Sequence, residues 1–161
     1  AAPIREPGST YIARHGQGYS RFEHTLHGIA LDLLMYVPLA DPVKISRLRI
    51  RNESRRTRRL SVTAYAECVL GAARSVTAPH LITSIDTASG ALLVRNPWSA
   101  VSRGRVVFAD LLGLQSSWTC DRRAFLGRHG TLAWPAALAS PEPLVPRAGA
   151  GLDGRRRSPR P

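Results

Sequence analysis

The chain has 161 residues, 43% of them hydrophobic, with a mean hydropathy of −0.14; these values exclude a polar disordered chain and fit one globular domain that buries roughly 70% of its unfolded surface. No apolar run approaches the roughly 20 residues of a membrane-spanning helix. A net charge of +12 and a pI near 11.4 raise nucleic acid as a partner, but Lys44 is the single lysine, and arginine and alanine recur throughout in the manner of coding bias, so no nucleic-acid partner is expected.

Residues 1–10 hold two prolines and a Gly-Ser pair and read as a connector. They lack the apolar stretch and cleavage context of a signal peptide, and read as a cut through a longer chain. Tyr11 opens a strand that runs to the glycines. The run Arg14-His15-Gly16-Gln17-Gly18-Tyr19-Ser20-Arg21-Phe22-Glu23-His24 reads as a connection in which Gly16 and Gly18 permit a sharp turn and close approach. Tyr19 and Phe22 then either present aromatic faces to a ligand or fill a core.

Residues 25–39 are apolar and predict a strand stopped at Pro38. Residues 43–52 alternate, with Leu48 and Ile50 opposing Arg47, Arg49 and Arg51; Ile45 falls out of phase, which predicts a bulge. Residues 60–70 repeat with period two and predict the second strand of a hairpin. Its tip carries Arg55, Arg56, Arg58 and Arg59, either an anion patch or a solvated end. After a loop at 71–79, residues 80–85 and 91–95 predict a second hairpin, closed by Asn96-Pro97-Trp98, and 105–111 another strand. From Gln115 the pattern weakens to loop and short strand, with a short helix at 136–139. Residues 154–161 form an arginine-proline tail that cannot join a core.

Short strands separated by turn signals, with no sustained helical period, predict an all-β fold, an antiparallel β-sandwich over 11–153. Cys68 and Cys120, far apart and without a partner pattern, fit a reducing compartment better than a disulfide framework. His24 and His27 point to opposite sides of a strand, so no metal is expected. No Gly-x-Ser-x-Gly elbow is present, and Glu23, Asp32, Asp41, Glu67, Asp86, Asp110 and Asp121 suit pairing and capping better than glycosyl transfer. Tyr19, Phe22, Trp98, Trp118 and Trp134 could stack on a sugar ring or fill a sandwich core.

Several motifs together carry a resemblance. Arg14-His15-Gly16-x-Gly18-Tyr19-Ser20 and Val37-Pro38-Leu39-x-Asp41 resemble the N-terminal β-sandwich of family 94 glycoside phosphorylases. Tyr19-Ser20-Arg21-Phe22-Glu23-His24, Asp41 to Leu48, Ser61 to Tyr65, Arg95-Asn96-Pro97-Trp98 and Phe125-Leu126-Gly127-Arg128 are similar to the corresponding part of bacterial cyclic β-1,2-glucan synthases. The resemblance runs over residues 3–153.

It implies a supersandwich of the galactose-mutarotase kind, preceding an (α/α)6 barrel that holds the general acid and the phosphate-binding groups. No catalytic residue and no cofactor are expected in this chain. The partners implied are a glucan or glucosyl oligosaccharide, the barrel, and a second copy in a homodimer, with the parent enzyme at the cytoplasmic side of the inner membrane. Arg74 and His80 are implied as a wall near the acceptor sugar. Together with Arg14, His15, Tyr19, Phe22, His24, Trp98 and Trp118 they make the candidate set for sugar binding or a domain interface. Cys68, Cys120 and His129 depart from the tryptophan, glycine and asparagine the family leads one to expect, and the family's sandwich continues past Asp153, so unpaired sheet edges are expected.

Overall fold

The computed structural model describes residues 10–140 and 142–152, so residues 1–9 of the connector and the tail lie outside the described residues. The chain divides into two compact units, Ala1–Thr63 and Ala64–Pro161.

The first unit is an antiparallel meander of β1 (Tyr11–Gly16), β2 (Tyr19–Leu26), β3 (Ile29–Tyr36) and β4 (Ile45–Asn52), in that spatial order. Much of the run expected as a connection is therefore strand. Only Gln17 and Gly18 turn between β1 and β2, and Gly18 takes φ +75 there. Gly16 serves close approach instead, because a Cβ on it would lie 2.2 Å from the Tyr19 ring. The single strand expected over 25–39 is split at His27 and Gly28, whose φ values of 50° and 77° are those of a two-residue hairpin turn matching the twist of the flanking strands.

Pairing is continuous from Tyr19↔Tyr36 to Leu26↔Ile29, and from Ile29↔Asn52 to Tyr36↔Ile45. The bulge expected at Ile45 does not form: Ile45 opposes Tyr36 and lies on the face opposite Leu48 and Ile50. Alternation therefore sorts the sheet. One face carries Phe22, Leu31, Leu33, Leu48 and Ile50. The other carries a charge ladder. Arg21 donates to Asp32 through Nε and Nη2, each at 2.9 Å, and pairs with Glu23 at 3.2 Å; Glu23 also meets Arg14. The hydrogen bond from Arg21, then the charges of Arg21, Arg49 and Arg47, hold the Asp32 carboxyl below its ordinary range.

The hairpin expected between 43–52 and 60–70 is absent. β4 pairs with β3, and residues 60–70 form no strand. Period-two hydrophobicity reports which side chains share a face, not which backbone supplies a ladder partner.

The second unit holds a three-stranded antiparallel sheet of β5 (Ile82–Ile85), β6 (Leu92–Arg95) and β7 (Val106–Ala109), with the hairpin and following strand where the sequence predicts them. Short helices α1 (Arg74–Thr77), α2 (Arg122–Leu126) and α3 (Ala136–Ala139) complete it, with a 3-10 turn at Ala78–His80. The segment expected as loop after Gln115 thus contains α2. Asp121 caps it, its carboxylate accepting from the backbone N–H of Arg123 at 2.9 Å and of Ala124 at 3.3 Å. The buried apolar residues Ala78, Ala91, Val94, Phe125 and Leu126 all belong to this unit. Burying a leucine as fully as Leu126 contributes about 1.5–3 kcal/mol. No described residue of the four-stranded sheet is fully buried.

Candidate functional site

Asn96 builds an exposed corner of the second unit from the inside. It is 2% exposed, its Nδ2 donates to the Leu70 carbonyl at 3.0 Å, and its Oδ1 accepts from the Trp98 N–H at 3.2 Å. The turn after β6 is thereby fixed, and Trp98 stands 77% exposed at its tip. The His80 ring lies 5.8 Å from the Trp98 ring, tilted by 40°. His80 is held at the end of a 3-10 turn whose neighbours Thr77 and Ala78 are buried. An exposed indole beside an imidazole offers a flat apolar surface and a hydrogen-bonding group side by side.

Arg74 is held by an ion pair. Its Nε lies 2.8 Å from Glu67 Oε2, and Glu67 Oε1 accepts from Tyr65 Oη at 2.6 Å and from Arg122 Nε at 3.1 Å. Burial pulls the Glu67 carboxyl upward, but hydrogen bonds from Tyr65 and Arg122 and the charges of Arg74 and Arg122 outweigh it and leave it below the ordinary range. The Tyr65 phenol, half enclosed and donating to that carboxylate, is pushed up to about 12. Its ring stacks on Phe125, centroids 5.0 Å apart. The sequence marked Glu67 only as opposite in parity to its apolar neighbours; the three partners come from 2, 7 and 55 residues away, a grouping no local pattern shows.

The candidates of the first unit divide between two faces. Arg14 and Tyr19 share the charged face. His15, Phe22 and His24 lie on the apolar one, where His15 Nδ1 is 2.9 Å from Ser20 Oγ and the His15 ring meets Phe22 edge-on at 5.8 Å. The His24 ring stacks on Tyr11 at 3.9 Å, and its Nδ1 is 3.1 Å from the Thr10 carbonyl oxygen. Trp118 is half-buried in the second unit.

Carboxylates are engaged elsewhere. Glu23, Asp32, Glu53, Glu67 and Asp121 meet arginines, while Asp86 and Asp110 hold turns through Ser89 and Gly113. Among the described residues no three His, Cys, Asp or Glu come together as metal ligands, and no helix is long and apolar enough to cross a membrane. Both cysteines are free, as the sequence reading has it. Burial raises each thiol, and Cys120 lies near enough to raise Cys68 further, a proximity their spacing in sequence concealed.

Two antiparallel sheets with few and short helices define the class of a β-sandwich domain. The model of the glycosyl hydrolase 94 supersandwich domain matches residues 1–154, and the chain belongs to that family. It is 39% identical over 140 residues to the cyclic beta-(1,2)-glucan synthase NdvB of Rhizobium meliloti (strain 1021), an alignment covering 87% of this chain and 5% of that protein. It is 37% identical over 140 residues to the solabiose phosphorylase of Paenibacillus borealis, covering 84% of this chain and 18% of the relative. The chain thus spans less than a fifth of either relative's length.

Proposed function

We propose that this chain is the non-catalytic β-sandwich segment of a carbohydrate-active enzyme of cyclic β-1,2-glucan synthase type, whose glucosyl transfer or phosphorolysis is performed by an (α/α)6 barrel. The carrying observation is that a supersandwich domain alone accounts for residues 1–154, at 5% and 18% of the relatives' lengths. The engagement of Glu23, Asp32, Glu67 and Asp121 with arginines supports it, because a glycosidic mechanism needs two carboxyl groups facing one cleft. The parent enzyme acts at the cytoplasmic side of the inner membrane, and copies of the domain meet in a homodimer. Incubated with linear β-1,2-glucan and inorganic phosphate, the chain forms neither sugar phosphate nor transfer product. Sustained turnover by this chain would overturn the reading.

A second reading, a freestanding carbohydrate-binding module, is favoured by the 77% exposure of Trp98 beside His80. It expects saturable quenching of tryptophan fluorescence by linear β-1,2-glucan, lost in Trp98→Ala. A flat titration leaves the support-domain reading in place.

A further inference from the structure

The turn between β2 and β3 and the loop after β4 border a shallow, open cleft of about 510 Å³, lined by His27, Gly28, Ser54, Arg55, Arg56 and Arg58. The loop is fixed by its own polar groups. Glu53 N–H donates to the Gly28 carbonyl at 2.7 Å, and Ser54 sits where a Cβ on Gly28 would meet it at 2.9 Å. Asn52 Oδ1 accepts from Ser54 N–H at 3.0 Å and Ser54 Oγ at 2.6 Å, while Asn52 Nδ2 donates to the Arg56 carbonyl at 2.9 Å. Arg58 Nη2 donates to the His27 carbonyl at 2.7 Å, tying the far side of the loop to the turn.

Apart from Arg58, this framework uses backbone and short side chains, and it leaves the guanidinium groups of Arg55 and Arg56 exposed, with no ion pair among the described residues. The nearest acid in sequence, Glu53, meets Arg51. A shallow cleft lined by Arg55, Arg56 and Arg58, with no carboxylate in its lining, gathers fork-shaped donors at one place, Arg58 being already tied to the His27 carbonyl.

We infer that this cleft binds a phosphate group carried by a small molecule or a lipid headgroup, a site in the first unit that does not rest on the reading above. Guanidinium groups match phosphate oxygens two at a time, which a lysine-type point charge does not. The cleft is open to solvent, so the organic part of a phosphate ester has room beside the bound charge.

The test is calorimetric titration of the 161-residue chain with inorganic phosphate, with glycerol phosphate, with random duplex DNA, and with phosphatidylglycerol against phosphatidylcholine vesicles. Saturable binding of glycerol phosphate, weakened about tenfold or more in Arg55→Ala/Arg56→Ala, supports the inference with a soluble ligand, tenfold being the least expected on losing two charge-assisted contacts. Binding to phosphatidylglycerol vesicles alone, lost in the same variant, supports it with a headgroup as the source. The control Arg103→Ala/Arg105→Ala removes equal charge from the second unit and leaves affinity within about twofold, since it takes no donor from the lining of the site. Glycerol phosphate also raises the melting midpoint of the unmodified chain and not that of the Arg55/Arg56 variant. Equal loss in both double variants, no saturable binding of any probe, or binding confined to random duplex DNA would each overturn the inference.

Discussion

At Gly28 two constraints meet in one residue. The backbone sits at φ +77, and an added Cβ would lie 2.9 Å from that of Ser54 and 3.3 Å from its backbone. Gly28→Ala must therefore enter the left-handed region and displace the loop after β4, at an expected cost of about 1–3 kcal/mol. Gly18→Ala shares the first constraint only, with φ +75 and nothing within 4 Å, and should cost about 1 kcal/mol. A fall in the urea midpoint of the first unit that is larger for Gly28→Ala, at unchanged slope, checks the difference. Asp121→Ala removes the cap of α2 and the 2.6 Å partner of Arg147, and should cost about 1–2 kcal/mol, read as a fall in the urea midpoint of the second unit. The capping residue was present in the sequence, yet α2 was missed because five residues are too few for a helical period to register.

Among the elements, β5 to β7 were legible because each is bounded by strong turn residues: Asp86 to Gly90 before β6, and Asn96-Pro97 after it. The meander was harder. Its β1 to β2 reversal was hidden by a run in which aromatics and charges alternate, a pattern that suits a two-faced strand as well as a ligand loop. Residues 60–70 had the alternation of a strand but pair with no strand among the described residues, and Tyr65 and Glu67 within them serve a polar cluster instead. That cluster has a pH signature. The Glu67 carboxyl is lower folded than its ordinary 4.5, so its contribution is complete above about pH 4.5 and is lost as pH falls through the folded value. Tyr65 has the opposite sign: raised from 10.0 to about 12, it contributes fully below pH 10 and loses that contribution as pH rises through about 12. Ultraviolet titration should show a late tyrosine ionisation, and Tyr65→Phe should remove that step. In acid unfolding, Glu67→Gln should flatten the loss of stability that the unmodified chain shows below pH 4.5.

For the molecule as a whole, the distribution of burial is uneven. The fully buried apolar residues lie in the second unit, while Phe22, Leu48 and Ile50 on one face of the first are 36%, 39% and 36% exposed. Contiguous apolar surface of this kind binds hydrophobic dyes and promotes association. The chain alone should therefore enhance the fluorescence of such a dye, and Leu48→Lys should reduce both that signal and any concentration-dependent sedimentation. The fold class and family motifs were readable because they rest on alternation and on short ordered runs such as Arg95-Asn96-Pro97-Trp98. The candidate set was not readable as a site, because strand parity sends Arg14 and Tyr19 one way and His15, Phe22 and His24 the other. That same parity leaves the meander without slack. β2, β3 and β4 are eight residues each and matched rung for rung, so one codon inserted within β3 would turn its remaining rungs over and set Asp32 or Leu33 against the wrong chemistry on both neighbours. Length changes should be tolerated at the hairpin ends and refused between them.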